Sequence, residues 1–147
     1  MGSPSTEQRL DEIRDLFLNK IPFNRVLGIE ILELSPGKAL FSVPFRSQLI
    51  GDPIREALHG GVISAVADTC GGCAVWSAVR DEDRVSTIDL RVDYLRPGRP
   101  EELRCRGEVL RLGNRVGVAH MSLFHPSSPD ECVAEAKGVY SVRRAEA

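Results

Sequence analysis

The stretch from residue 59 to residue 79 constrains this chain most, because it is apolar almost throughout yet holds a single carboxylate, Asp68. A helix that is apolar on all sides has to be enclosed by other elements, since it has no face to offer to water. An ionised carboxylate in such surroundings is costly unless it is paired, hydrogen-bonded or protonated. Groups of this kind cluster at functional sites, so Asp68 is the first candidate for chemistry.

The same stretch is long enough to cross a bilayer, but its composition argues against a membrane span. It contains Asp68, Ser64, Thr69 and the pair Gly71-Gly72, and charged strand-like segments follow it. The N-terminus lacks the apolar run of a secretion signal, and the four cysteines do not form a disulfide framework. We therefore expect a cytoplasmic protein without a membrane partner.

Two further observations exclude classes of function. The net charge of -2 gives no reason to expect nucleic acid as a partner. Cys70 and Cys73 form a CxxC pair, but a zinc site needs a second pair of ligands at suitable spacing, which the chain does not provide. Because the pair lies inside an apolar helix, we expect core-filling thiols, with no metal and no cofactor.

The remaining periodicity predicts an α+β fold. Residues 7–19 have apolar positions at helical spacing, and Pro22 and Gly28 break the chain after them. The predicted elements are helix 7–19, strands 29–34 and 39–45, a polar loop 48–57, helix 60–79, and strands 84–96, 102–112, 116–124 and 132–142. Short-looped antiparallel strands after one long helix favour α+β over alternating β/α. We divide the chain into an N-terminal helical segment, 1–22, and a single domain, 23–147.

Charged residues outside the central helix are either ordinary solvated surface residues or part of an anion-binding site. We expect the acidic run 81–83 to be solvated. The second half is rich in arginines, at positions 96, 99, 104, 106, 111 and 115. By default these cover solvated strand faces, but arginine also suits phosphate geometry, so an anion site is the alternative.

The start of the central helix can bind a polarised oxygen. Free N–H groups and a partial positive charge mark the first turn of any helix, and Gly60 and Gly61 would let a ligand approach that backbone closely. Those N–H groups could stabilise an oxyanion. For His59 three roles remain open: capping the helix, orienting the loop, or contacting substrate.

The spacing along this helix predicts a shared site. Gly61 and Asp68 are seven residues apart, which places them on nearly the same face and roughly 10 Å apart along the axis. One ester or thioester carbon cannot touch both. Two such helices packed antiparallel would bring the N-terminus of one beside the aspartate of the other, so we expect a composite site across a two-fold interface.

The sequence His59-Gly60-Gly61, followed by Asp68 and Gly71-Gly72, resembles the signature of hot-dog-fold acyl-CoA thioesterases, and the phenylacetate-degradation branch looks like the nearest type. The strand 86–97 is also similar to the strand that follows the central helix in that family. The likeness extends from about residue 23 to residue 142. It implies a long helix wrapped by an antiparallel sheet, a homodimer or dimer of dimers, and an acyl-CoA thioester as substrate.

The resemblance also implies roles for individual residues. Asp68 would act as nucleophile or as general base for water, the Gly60 N–H would hold the thioester carbonyl, and His59 would support the carbonyl region. The expected substrate contacts are Gly61, Thr87, Asn114 and Arg115, with Thr87 positioning the water and Arg115 meeting coenzyme A phosphates.

Two details of the pattern are specific to this chain. Strand alternation puts Thr87 on the face opposite Ile88, so its role requires a bulge or an interface location. Many relatives have Asn or Gln six residues before the motif histidine, where this chain has Pro53; Asp52 or Gln48 could substitute.

Three functions fit these observations. The first is thioester hydrolysis, with Asp68 as nucleophile or general base. The second is an acyl-thioester hydratase or dehydratase, which needs its histidine at the substrate α-carbon, whereas His59 lies at the helix entrance. The third is an acyl-CoA-binding module without turnover.

Overall fold

A six-stranded antiparallel sheet curls around one long helix in the computed structural model, which describes residues 2–146. The helices are α1 (Thr6–Asp15), a π-helical turn (Leu16–Lys20), α2 (Pro22–Leu27) and α3 (Gly60–Ser77). The strands are β1 (Glu30–Ser35), β2 (Lys38–Val43), β3 (Ile50–Asp52), β4 (Ala57–Leu58), β5 (Arg84–Tyr94), β6 (Leu103–Leu112), β7 (Val116–Phe124) and β8 (Ala134–Arg143). The large sheet has the order β1-β2-β6-β7-β8-β5, and β3 pairs with β4 alone. The predicted α+β architecture, a helix wrapped by a sheet, is confirmed.

Helix α3 is enclosed as its composition predicts. It packs against β1, β2, β5, β6, β7 and β8. Cys70 and Cys73 are both free thiols with no exposed surface, so their interpretation as core-filling residues is confirmed. Burial raises the pKa of both thiols well above the ordinary range. Among the described residues, no helix is long and apolar enough to cross a membrane.

Two glycines of α3 and one of β8 accommodate a buried tyrosine. A Cβ on Gly71 would lie 2.4 Å from the Tyr140 hydroxyl oxygen, and one on Gly138 would lie 2.5 Å from the Tyr140 ring. A Cβ on Gly72 would lie 3.3 Å from the same ring. The Gly71-Gly72 pair therefore lets strand β8 approach α3 closely within the protomer.

The structure adds a helix that the sequence analysis missed. Pro22 and Gly28 were interpreted as chain breaks, but they mark the two ends of α2. Pro22 is its first residue, and Gly28 closes it in the left-handed conformation at φ 75°. Six residues are too few to show a helical period.

The predicted polar loop 48–57 also contains regular structure, the short pair β3 and β4. Asp52 accepts hydrogen bonds from the N–H groups of Ile54 and Arg55 and so builds the turn between these strands. Pairing of three residues with two is too short to produce a visible alternation.

The N-terminal segment contributes to the core of the domain. Ile13 and Phe17 are 4% and 5% exposed, and the Phe17 ring meets the Trp76 ring edge-on at 6.1 Å. Arg9 donates to the Trp76 carbonyl in the last turn of α3 and pairs with Asp81. This segment therefore covers one flank of α3.

Asp83 corrects the expectation that residues 81–83 are simply solvated. Its carboxylate has no exposed surface and accepts hydrogen bonds from Arg80, from Arg144 and from the Ala145 N–H. Burial alone would raise its pKa, but the Ala145 N–H and the two guanidinium groups outweigh burial and hold the pKa of Asp83 well below its ordinary value of 3.8.

We predict that Asp83→Asn lowers the free energy of unfolding by about 2 kcal/mol at neutral pH, because the two arginines lose their buried counter-charge. A depressed carboxyl pKa contributes stability above the unfolded-state value, and the contribution is lost as pH falls below it. The difference between wild type and Asp83→Asn, measured by urea unfolding, should therefore shrink below about pH 4. The exposed neighbour Glu82, changed to Gln, is the control, and a pH-independent difference would contradict this account.

Candidate active site

Asp68 has a hydrogen-bond partner from the sheet. The Thr87 hydroxyl of β5 donates to Asp68 Oδ1 over 2.7 Å. The register of β5 against β8 shifts between Thr87 and Asp89, and the intervening Ile88 is 59% exposed. The bulge that the position of Thr87 requires is therefore present.

The carboxylate opens into a cleft of about 270 Å³. Its polar lining includes Asp68, Ser86 and Thr87. Its apolar lining, called the apolar wall below, comprises Phe17, Ile21, Phe23, Trp76 and Val85. Asp68 itself is half-buried and lines this cleft, with its Oδ1 atom bonded to Thr87.

Behind Asp68, the backbone is held by the buried tyrosine. Tyr140 donates its hydroxyl to the Asp68 carbonyl over 2.9 Å. Burial raises the pKa of Tyr140, and the nearby Asp68 carboxylate raises it further, so the hydroxyl remains a neutral donor. The turn of α3 that bears Asp68 is thus fixed to β8, and its side chain to β5.

At the other end of the site, His59 caps α3. Its Nδ1 accepts the Gly61 N–H over 2.8 Å, so the capping role is present, while a contact with substrate stays a prediction. The His59 backbone is fixed as well, because its N–H donates to Leu49 and a Cβ on Gly51 would lie only 2.5 Å from the His59 Cα. The small β3–β4 hairpin therefore orients the capping residue.

The N–H groups of Gly60 and Gly61 differ in whether they have an acceptor. The Gly61 N–H donates to His59, so it is not available for the substrate contact that was predicted for Gly61. The Gly60 N–H finds no acceptor among residues 2–146, and it remains the available donor at the helix start.

A second cleft, of about 490 Å³, adjoins this helix end. Its lining comprises Phe23, Val26, Leu27, Arg46, Gln48, Leu49, His59, Gly61 and Val62. Gln48 and Asp52 were the two candidates to replace the Asn or Gln that relatives have at the position of Pro53. Gln48 lines this cleft, whereas Asp52 forms the β3–β4 turn. Phe23 lines both clefts, so α2 forms a wall common to them.

The two ends of the site lie apart within one protomer. Gly60 and Asp68 are separated by eight residues, roughly 12 Å along the helix axis. Strand β5 is the last strand of the sheet, and among the described residues its outer edge has no strand partner. Ile88 and Tyr94 in this strand, and Leu95 directly after it, are all more than half exposed.

Asn114 and Arg115 lie elsewhere, in the turn between β6 and β7. The Asn114 carbonyl accepts from Arg144 and the Arg115 carbonyl accepts from Val142, and neither residue lines either cleft. The structure therefore does not bring them together with Asp68 in one protomer.

Several of the clustered arginines have protein partners. Arg99 pairs with Glu101, Arg104 with Glu102 and Arg106 with Glu33. Arg111 and Arg115 have no carboxylate within ion-pairing distance in the part of the chain that the structure describes.

The chain is similar to known thioesterases in sequence and in structure. The family profile described as "Thioesterase superfamily" matches residues 56–132. The medium/long-chain acyl-CoA thioesterase YigI of Escherichia coli K12 is 35% identical over 134 residues, which cover 82% of this chain and 86% of that protein.

Solved structures share the fold. A thioesterase family protein from Silicibacter pomeroyi superposes with a TM-score of 0.85 at 25% identity, covering 96% of this chain and 100% of that one. The Escherichia coli PaaI protein from the phenylacetic acid degradation operon superposes with a TM-score of 0.83 at 21% identity, covering 96% and 97%.

Proposed function

We propose a specific reaction for this chain, which belongs to the thioesterase superfamily and is a thioester hydrolase: it cleaves acyl-CoA thioesters to a free acid and coenzyme A. The observation that carries the proposal is the Asp68 carboxylate, which accepts a hydrogen bond from Thr87 at Oδ1 and lines a cleft whose lining is largely apolar. Such a group can act on a carbonyl carbon whose apolar tail lies alongside it.

Two routes are consistent with this geometry. As general base, Asp68 accepts a proton from water while the water oxygen attacks the thioester carbon. As nucleophile, Asp68 forms a mixed anhydride that water then hydrolyses. In both routes the Gly60 N–H stabilises the oxyanion, the C–S bond breaks, and the leaving thiolate takes up a proton. The hydrogen bond from Thr87 fixes one carboxylate oxygen and so directs the other.

The site is proposed to form between two protomers. Strand β5 touches α3 at both functional positions, through Thr87 at Asp68 and through Tyr94 at Gly60. If the free edges of two β5 strands pair about a two-fold axis midway between these residues, Thr87 of one subunit comes beside Tyr94 of the other. Asp68 then lies near Gly60 of the partner subunit. The open edge and its exposed apolar side chains support this pairing.

The lining of the two clefts indicates where each part of the substrate would bind. The apolar wall beside Asp68 suits an aliphatic tail, and the E. coli relative is named for medium and long chains. We assign the acyl tail to this cleft. The cleft at His59, which is lined also by Arg46 and Gln48, would hold the polar pantetheine arm. Arg111 and Arg115, for which residues 2–146 offer no ion-pair partner, are the candidates for the phosphates. A cytoplasmic location remains a prediction.

The enzyme hypothesis makes a prediction for Asp68. Asp68→Asn keeps the size of the side chain but removes the base, so kcat should fall at least about 100-fold. Affinity for a non-hydrolysable acyl-CoA analogue, measured by calorimetry, should stay within about threefold. Asp130→Asn is the matched control, because Asp130 is exposed and lines neither cleft.

Three outcomes separate the alternatives. Full activity of Asp68→Asn in a thiol-release assay would contradict the proposed role. Binding by wild type without release of thiol from any acyl-CoA would favour the binding module. Hydration of enoyl-CoA without thiol release would favour the hydratase.

Trp76 is predicted to limit the length of the acyl chain, because its ring and that of Phe17 close the apolar wall. Trp76→Leu should raise kcat/KM for long chains relative to short chains by about tenfold, measured over a series of saturated acyl-CoA substrates. Val62→Ala, in the other cleft, should leave this ratio unchanged. If Val62→Ala shifts the ratio and Trp76→Leu does not, the two clefts have been assigned the wrong way round.

A further inference from the structure

A hydrogen bond joins the edge strand to the first turn of the central helix. The Tyr94 hydroxyl of β5 donates to the Gly60 carbonyl over 3.1 Å. The ring is also close, because a Cβ on Gly60 would lie 3.5 Å from the Tyr94 Cε1 atom. Tyr94 lines neither cleft, and its ring is 53% exposed in the protomer.

The bonded carbonyl belongs to a peptide unit that is held at both ends. The Gly60 carbonyl and the Gly61 N–H are parts of the same peptide group, and this N–H donates to His59 Nδ1. The bonds therefore form a chain that runs from the tyrosine hydroxyl through the peptide to the imidazole. Hydrogen bonds in such a chain polarise one another.

The chain determines which nitrogen of His59 carries its proton. Because Nδ1 accepts a backbone N–H, the neutral ring must be protonated at Nε2. His59 lines the cleft beside Gly60, so the Nε2–H is a donor placed at this end of the site.

Such anchoring has a physical purpose at this position. Two consecutive glycines have more backbone freedom than any other pair, and helix ends fray. An oxyanion donor is effective only if it is already oriented before the reaction. The Tyr94 hydroxyl ties the first turn of α3 to the sheet, at the end of the helix that is most prone to fraying.

We propose that Tyr94 is a positioning residue, which holds the Gly60–Gly61 peptide and the His59 tautomer in the orientation needed by the acyl carbonyl. The inference rests on the proposed thioester hydrolysis for its kinetic consequence. Its structural content, the tautomer of His59, does not depend on turnover.

Tyr94→Phe tests the proposal, since it removes the hydroxyl and keeps the ring. We expect kcat to fall about tenfold while KM changes by less than about twofold. The ¹⁵N signals of the His59 imidazole should move from the Nε2–H pattern toward a mixture of tautomers. A His59→Asn variant assigns these signals among the three histidines and keeps a capping side chain.

The control is Asp93→Asn, which alters the neighbouring position of the same strand and should change neither readout. Unchanged kcat together with unchanged His59 signals in Tyr94→Phe would overturn the proposal. A loss of kcat that accompanies dissociation in sedimentation would also overturn it, because Tyr94 would then act through the subunit contact. If wild type releases no thiol, the hydrolase proposal fails, while the imidazole signals still decide the role of Tyr94.

Discussion

The contact on which the rest depends is the hydrogen bond between Thr87 and Asp68. It provides a partner to the one carboxylate of an otherwise apolar helix, which removes part of the cost of placing a charge there. It also fixes one oxygen of a carboxylate that lines the cleft. A bulge at Ile88 is needed to aim Thr87 at the helix, so in the proposed mechanism an irregularity of the edge strand orients the reacting carboxylate.

Strand β5 thereby links the fold to the site. Thr87 and Tyr94 hold the two functional positions of α3 from one strand, and that strand is the edge available to a second subunit. The arrangement explains how two groups roughly 12 Å apart on one helix could serve one carbon. Association would complete the site and cover an exposed strand edge at the same time.

The sequence predicted the parts that depend on long patterns, and missed the parts that depend on single contacts. The apolar run around Asp68 predicts an enclosed helix, and strand alternation predicts the large sheet. Helix α2 is too short for a period, although it separates the two clefts through Phe23. The burial of Asp83 and the bond from Tyr94 to Gly60 depend on residues distant in sequence, which no local pattern relates.

Mixing of two inactive variants tests the shared site most directly. Gly60→Pro removes the N–H and keeps the helix start, because proline is tolerated at the first helical position and His59, at φ -62° and ψ 132°, already has the conformation preferred before proline. The added ring has room, since a Cβ on Gly60 would lie 3.5 Å from Tyr94, an ordinary contact distance. Asp68→Asn removes the carboxylate. When equal amounts are dissociated and reassociated, a composite site predicts recovery of roughly a quarter of wild-type activity, since half of the dimers are mixed and each has one intact site. No recovery, with mixed dimers demonstrated by mass spectrometry, would contradict the account.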